Sequence, residues 1–237
     1  MNIPEKDKDD QYITSIKRKA LLGLSSMLIL VWILIFAPGW TIVYWEGWGF
    51  FFSFSIPVII ISLYFLKHDL KLIEVRIKAG PTAEKEKSQQ IIQSLTGVFF
   101  VLLLLFPGLD HRYHWSTMPW FLVVFGDFLV ITGLFITYLV FRENSHTSAI
   151  IEVDQGQRVV QTGPYALIRH PMYSGGLLML LGVPFALGSW WALIFTLLLF
   201  LAIVWRLLDE ERFLSSNLQG YVQYCKKVRF RLIPFLW

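Results

Sequence analysis

Six apolar runs, separated by polar and charged segments, set the pattern of this chain. They extend over residues 20–38, 49–66, 91–109, 120–141, 173–187 and 190–207. About 20 apolar residues in a helix, at about 1.5 Å per residue, cross the ~30 Å hydrocarbon core of a bilayer. The pattern predicts an all-α integral membrane protein with about six transmembrane helices.

The last two runs form a predicted helical hairpin joined at Gly188-Ser189. As a helix of about 15 residues, its first arm would be only about 22 Å long, so the sequence leaves open whether the hairpin crosses the membrane or dips into it. A short arm next to a proline-broken polar stretch predicts a site at or slightly below the membrane surface. We divide the chain into a tail and four-helix platform, 1–141, and a catalytic region, 142–237.

Composition agrees with a membrane protein. The chain has 237 residues, of which 55% are hydrophobic and 16% charged, whereas soluble domains carry about 25% charged residues. Cys225 is the only cysteine, which excludes an intramolecular disulfide and suggests an inert thiol. The polar start of the chain has no small-residue cleavage site after its first apolar run, so we interpret that run as a retained transmembrane helix.

The lysines and arginines predict the orientation. With six spans, both termini and the even-numbered connections lie on one side, and that side holds every Lys and Arg except Arg112. Positive charge is enriched in cytoplasmic loops. We therefore expect both termini and the site to face the cytoplasm, in a bacterial inner membrane or the endoplasmic reticulum of a eukaryote. The net charge of +4 then needs no nucleic-acid partner.

The candidate chemistry lies in the stretch QTGPYALIRHPMYSGG, 161–176, and at the end of the hairpin's second arm. Arg206 and Glu210 are four residues apart and share a helix face. Ionisable groups at a membrane helix end are commonly snorkelling or paired, and only their clustering indicates a function. The clustered residues are Tyr165, Arg169, His170, Tyr173, Arg206, Asp209, Glu210 and Glu211.

From residue 142 onward the chain resembles the isoprenylcysteine carboxyl methyltransferase family, part of a wider group of membrane methyltransferases that includes phospholipid N-methyltransferases. The resemblance rests on GPYALIRHPMYSGG, the apolar hairpin, the R-x-x-x-E-E pattern and GYVQYCKKVRFRLIP, in that order. It implies S-adenosylmethionine as methyl donor and places Arg206 on the substrate side. The implied cofactor contacts are Gln157, Arg158, Val159, Val160, Tyr165, His170, Pro171, Met172, Tyr173 and Glu210. Family members often have His where this chain has Gln157.

These residue types suit that cofactor. Glu210 or Glu211 can hold its amine or ribose hydroxyls, and Arg169 or His170 its carboxylate. Tyrosine faces attract the cationic sulfonium. A carboxylate acceptor, oriented by Arg206, would need no general base, whereas an amine or thiol would need Glu210, Glu211 or His170 as a base. No Gly-rich loop of the dinucleotide-binding type follows a predicted strand.

The resemblance favours a lipidic or small hydrophobic acceptor of the prenylcysteine-carboxylate kind. Phospholipid N-methylation and small-thiol S-methylation are alternatives, as are a sterol C14-reductase-like enzyme that uses a nicotinamide cofactor and a non-catalytic scaffold or transporter subunit. We expect no metal, although His111 and His114 are three residues apart. Asp127 is interpreted as a polar packing contact, and Asp69, Glu74 and Arg76 as a solvated helix face.

Overall fold

The computed structural model describes residues 5–77, 84, 86–144 and 159–237, with side chains from residue 11 onward. Gln157 and Arg158, two of the expected cofactor contacts, lie outside the described residues. Within the described ranges the chain forms helices and turns and no strand. The helices are α1 Glu5–Phe36, α2 Trp45–His68, α3 Leu70–Ile77, α4 Lys87–Tyr113, α5 Trp120–Glu143, α6 Pro171–Ala186, α7 Leu193–Asn217 and α8 Tyr221–Lys227.

Among the described residues, four helices are long and apolar enough to cross a membrane: α1 from Gln11 onward, α2, α4 and α5. They coincide with the first four apolar runs, so the all-α membrane fold is confirmed. The fifth and sixth runs form the expected hairpin, in which α6 is a shorter apolar helix and α7 ends in a charged segment. Outward-facing side chains are apolar, as in Ile60, Phe128 and Leu197, which are 61%, 61% and 58% exposed.

The core lies along the bundle axis, where six helices contribute side chains. Its buried members include Ile35, Phe50, Leu103, Val130, Val183 and Leu199, one each from α1, α2, α4, α5, α6 and α7. The hairpin is therefore part of the same packed body as the four long helices.

Paired glycines bring α5 and α6 into backbone contact. Gly126 and Gly133 on α5 face Gly182 and Gly175 on α6: a Cβ at Gly133 would lie 2.4 Å from the Gly175 carbonyl oxygen, and one at Gly182 would lie 2.6 Å from the Gly126 oxygen. Seven residues make about two helical turns, so each pair shares one face. Small residues of this kind allow membrane helices to approach closely.

This pairing fixes the depth of α6. Because Gly175 lies opposite Gly133 in an antiparallel pair, Pro171 begins α6 near the level of residue 137. That level is about 9 Å further into the bundle than Glu143, the last residue of α5, at about 1.5 Å per residue. The chain before α6 returns along the end of α5, where the Thr162 hydroxyl donates to Glu143. The candidate stretch thus leads to a level below the last turn of α5.

At the other end of the bundle, polar contacts hold the turn between α6 and α7. Asp110, at the end of α4, accepts hydrogen bonds from the Ser189 hydroxyl and from Ser116 N and Oγ, the last two at 2.7 Å. The Tyr44 hydroxyl donates to the Leu187 carbonyl at 2.5 Å. These contacts join the hairpin to α4 and to the start of α2.

His111 and Asp127, which the sequence analysis singled out, both make packing contacts. The His111 ring stacks on Tyr44 with 4.2 Å between centroids, and among the described residues no three or more His, Cys, Asp or Glu side chains come together as metal ligands. Asp127 accepts from the Ser53 hydroxyl at 2.8 Å, which joins α5 to α2. The interpretation of Asp127 as a polar packing contact is confirmed.

Candidate active site

Tyr173, Arg206 and Glu210 form a hydrogen-bonded unit between α6 and α7. Tyr173 Oη donates to Glu210 Oε2 at 2.5 Å and accepts from Arg206 Nε at 3.1 Å. A guanidinium can only donate, so the tyrosine proton must point to the glutamate. Among the described residues, no donor reaches Glu210 Oε1, and this oxygen remains available to a cationic ligand.

A segment far away in sequence completes the surroundings of Arg206. Arg206 Nη2 pairs with Glu84 Oε1 at 2.8 Å, and Nη1 donates to Gln89 Oε1 at 3.1 Å. The pair is withdrawn from solvent, with side-chain exposures of 13% for Arg206 and 1% for Glu84. All three guanidinium nitrogens therefore have partners.

The same segment holds the neighbouring carboxylate. Gln89 Nε2 donates to Asp209 Oδ2 at 2.5 Å, and the Ser88 hydroxyl donates to that oxygen at 2.9 Å. The Gln89 amide thus bridges Arg206 and Asp209, which are three residues apart on α7. Sequence analysis missed Glu84 and Gln89, because neither belongs to a motif and both lie more than a hundred residues from Arg206.

A second cluster surrounds Glu211, in the charged end of α7. Its Oε1 lies 3.2 Å from both Arg169 Nε and His170 Nε2, and its Oε2 accepts from Arg231 Nε at 2.9 Å. Burial raises the pKa of this carboxyl, but hydrogen bonds from His170 and Arg231 and the charge of Arg169 outweigh burial and lower it to about 2. Both oxygens are engaged, so the arrangement favours a structural role for Glu211 over direct binding of a cofactor.

Backbone hydrogen bonds join the end of the chain to the start of α6. Arg169 N donates to the Phe230 oxygen at 2.9 Å and His170 N to the Arg231 oxygen at 3.0 Å. The Ser174 hydroxyl donates to the Leu232 oxygen at 2.6 Å. Residues 230–232 therefore support the stretch that carries Arg169 and His170.

The 3-10 turn Gly163–Ala166 is held from two sides. Tyr165 Oη lies 3.3 Å from Asn144 Nδ2, and its carbonyl accepts from the Tyr224 hydroxyl of α8 at 2.8 Å. Val159 packs against a small hydrophobic cluster in and around α8, which contains Tyr221 and Tyr224. The following residue, Val160, is half-buried. Two of the predicted cofactor residues, Val159 and Tyr165, therefore contact the region of α8.

Two more of the residues expected to contact the cofactor, Pro171 and Met172, lie at the start of α6. Pro171 is the first residue of the helix, a position where the missing N–H of proline costs no helical hydrogen bond. Met172 follows, with its sulfur 3.9 Å from Arg76 Nη1 of α3. The expectation that Arg76 lies on a solvated helix face is wrong, because α3 packs against α1 and α2 and turns this side chain towards α6.

A groove of about 540 Å³ opens beside the Glu211 cluster. This volume is in the range of small-molecule sites. The groove is lined by Leu208, Glu211, Arg212, Ser215, Ser216 and Arg231.

Parts of this chain are similar to known proteins. Residues 121–219 match the phospholipid methyltransferase family model, a range that begins in α5 and includes Tyr173, Arg206 and Glu210. The chain is also similar to Delta(14)-sterol reductase TM7SF2 of Mus musculus, with 29% identity over 108 residues. That alignment covers 41% of this chain and 25% of the relative, so the chain matches about a quarter of that protein's length.

Proposed function

We propose that this protein, whose residues 121–219 match the phospholipid methyltransferase family model, transfers a methyl group from S-adenosylmethionine to a lipidic or small hydrophobic acceptor. The observation that carries the proposal is the unit of Tyr173, Arg206 and Glu210, which lies inside the matched region. The unit lies where the apolar part of α7 gives way to its charged end, a level at which a water-soluble donor and a membrane-dissolved acceptor can meet.

The residues present suit a cationic donor. Glu210 Oε1 can accept from the donor's amine or ribose hydroxyls. Tyr173, whose ring stacks on His170 with 5.7 Å between centroids, offers an aromatic face to the sulfonium. When bound, S-adenosylmethionine supplies an electrophilic methyl group. Tyr165, Pro171, Met172 and the segment 157–160 would complete the cofactor site.

The remaining charged residues have roles in alignment. Methyl transfer is an in-line displacement, so holding the reactants in the right geometry is the main catalytic contribution. Arg206 fixes the Tyr173 hydroxyl and through it Glu210, on the acceptor side of the unit. A carboxylate acceptor would need no base, whereas an ammonium acceptor must lose a proton, and Glu210 is placed to take it. Arg169, His170 and Glu211 hold the start of α6 against the end of the chain.

For the orientation in the membrane, we propose that the charged end of the bundle, where α7 ends, faces the cytoplasm. The membrane would be the inner membrane of a bacterium or, in a eukaryote, the endoplasmic reticulum. The support is the bias of Lys and Arg to that end. A reporter fused after Trp237 that is active only outside the cytoplasm should remain inactive. An active reporter would contradict this orientation.

The test is a titration of the detergent-purified full chain with S-adenosylmethionine and S-adenosylhomocysteine. Glu210→Gln should weaken binding by about tenfold, the size of one lost charge-assisted hydrogen bond, and Arg206→Ala should weaken it less. Glu86→Gln is the control, because Glu86 is exposed. Turnover with phosphatidylethanolamine, N-acetyl-S-farnesyl-cysteine and a small thiol would then identify the acceptor class. No saturable binding to folded protein would contradict the proposal.

The similarity to a sterol reductase favours a second candidate, a membrane reductase that uses a nicotinamide cofactor. NADPH should be titrated in parallel. Saturable NADPH binding without S-adenosylhomocysteine binding would support the reductase. Binding of neither cofactor would leave the scaffold or transporter subunit.

A further inference from the structure

Arg76 is a guanidinium directed into the bundle next to the candidate site. It lies in the last turn of α3, and its Nη1 is 3.9 Å from the Met172 sulfur. Its Cζ lies 4.9 Å from the centroid of the Phe141 ring, at the end of α5. Arg76 therefore lies where α3, α5 and the start of α6 meet. Its contact residue Met172 directly precedes Tyr173 in the sequence.

The surroundings of Arg76 differ from those of the other arginines here. No carboxylate lies within ion-pair distance of it among residues 5–77, 84, 86–144 and 159–237. Arg206, in contrast, is paired with Glu84, while Arg169 and Arg231 share Glu211. Arg76 thus differs from these three arginines in having no counter-ion among the described residues.

An arginine in this position carries an electrostatic cost. Burial lowers the pKa of Arg76 from its ordinary value, and the positive charge of Arg206 acts in the same direction. A guanidinium nevertheless stays charged in proteins. Withdrawing a charge from water without a partner is unfavourable, and an anionic ligand would remove much of that cost.

The contacts of Arg76 also favour a ligand in the plane of the guanidinium. Phe141 covers one of its faces, and a thioether sulfur is only a weak acceptor. The N–H edges of a guanidinium match the two oxygens of a carboxylate or phosphate group. An oxyanion could therefore bind in the plane without displacing Phe141.

We propose that Arg76 is the anion-binding residue of the acceptor site, which takes the phosphodiester or carboxylate group of a lipidic acceptor beside Met172 and Tyr173. The assignment rests on the proposed methyl transfer. It adds α3, which lies outside the matched region 121–219, to the acceptor site. Arg206, whose guanidinium nitrogens are already engaged, then serves to align Tyr173.

The test measures dissociation constants of three probes for the detergent-purified full chain. Phosphatidylethanolamine carries a phosphodiester, N-acetyl-S-farnesyl-cysteine a carboxylate, and oleylamine no anion. Arg76→Gln should raise the dissociation constant of at least one of the first two by about tenfold or more. It should leave oleylamine and S-adenosylhomocysteine within about twofold. Arg18→Gln, at an exposed arginine of α1, is the matched control and should change nothing by more than about twofold.

Arg76→Lys keeps the charge but not the planar fork, and should fall between the wild type and Arg76→Gln. It also replaces Arg76→Gln if that variant does not fold. Equal losses in Arg76→Gln and Arg18→Gln, or no saturable binding of either anionic probe by the wild type, would overturn the proposal. So would a selective loss of S-adenosylhomocysteine affinity, because the anion would then be the donor's carboxylate. A wild type that binds anionic lipid through Arg76 but no S-adenosylhomocysteine would contradict the methyl donor alone.

Discussion

Tyr173 Oη donates to Glu210 at 2.5 Å and accepts from Arg206 Nε at 3.1 Å. One hydroxyl thus connects a cation and a carboxylate one helical turn apart on α7 to the first turn of α6. Removal of any member leaves the others with unmade hydrogen bonds. The effects of single substitutions in this unit are therefore expected to be non-additive.

Tyr173→Phe removes the connecting hydroxyl and little volume. It should lower the free energy of unfolding by about 1–3 kcal/mol, because Arg206 Nε and Glu210 Oε2 each lose a partner in a largely buried place. It should also weaken S-adenosylhomocysteine binding, since Glu210 is no longer held. Thermal unfolding and titration measure the two effects. Tyr113→Phe, at an exposed tyrosine at the end of α4, is the control. Unchanged affinity in Tyr173→Phe would show that the hydroxyl does not position Glu210.

The buried pair of Glu84 and Arg206 predicts energetic coupling across more than a hundred residues of sequence. Glu84→Gln or Arg206→Gln alone should each destabilise the fold by about 3–5 kcal/mol, because each removes the oppositely charged partner of a buried charge. The double variant should cost less than the sum of the two. Unfolding in denaturant provides the four free energies of this cycle.

Gln89→Leu tests the second contact of Arg206. It removes both the acceptor for Nη1 and the donor to Asp209, so it should lower turnover more than donor affinity. Additive effects of Glu84→Gln and Arg206→Gln would mean that the observed pair contributes no coupling. If Gln89→Leu turns over as fast as the wild type, the segment that carries Gln89 does not contribute to the active site.

The pKa of Glu211 predicts a pH dependence of stability. The folded-state value of about 2 lies below the ordinary 4.5, so the ionised carboxylate stabilises the fold above about pH 4.5, and this contribution disappears as the pH falls towards 2. Its size is at most about 3 kcal/mol, at 1.36 kcal/mol per pKa unit. The wild type and Glu211→Gln should therefore differ in stability by a constant amount from pH 8 to 5 and converge below 4.5. A difference that vanishes already between pH 7 and 5 would contradict the arrangement of Arg169, His170 and Arg231 around this carboxylate.

Two adjacent glycines of α6 provide a matched pair for the helix contact. At Gly175 a Cβ would lie 2.8 Å from the Gly133 carbonyl oxygen, whereas at Gly176 no atom lies within 4 Å. Gly175→Ala should destabilise the fold by about 1–3 kcal/mol, as overpacking does. Gly176→Ala should stabilise it by up to about 1 kcal/mol, because alanine is the better helix former. Thermal unfolding of the two variants decides the prediction, and equal midpoints would contradict the contact between α5 and α6.

The apolar runs alone determined the four long helices, the hairpin and its turn at Gly188-Ser189. These features could be predicted because the cost of placing polar groups in a bilayer acts on each segment separately. The cluster that contains Tyr173, Arg206 and Glu210 was also visible in the sequence, since residues near the two ends of a helical hairpin must meet. The family match confirms the resemblance to membrane methyltransferases that the C-terminal motif indicated.

Only the tertiary structure decided which partners these residues have. Gln89 reaches Arg206 because α4 packs against α7, and Glu84 precedes α4 closely in the chain. Arg76 reaches Met172 because α3 packs against α1 and α2. Such contacts join distant segments, and no local pattern encodes them. The seven-residue spacing of small residues in α5 and α6 was the one overlooked signal. It sets the depth of α6, because only glycine allows backbones to approach so closely.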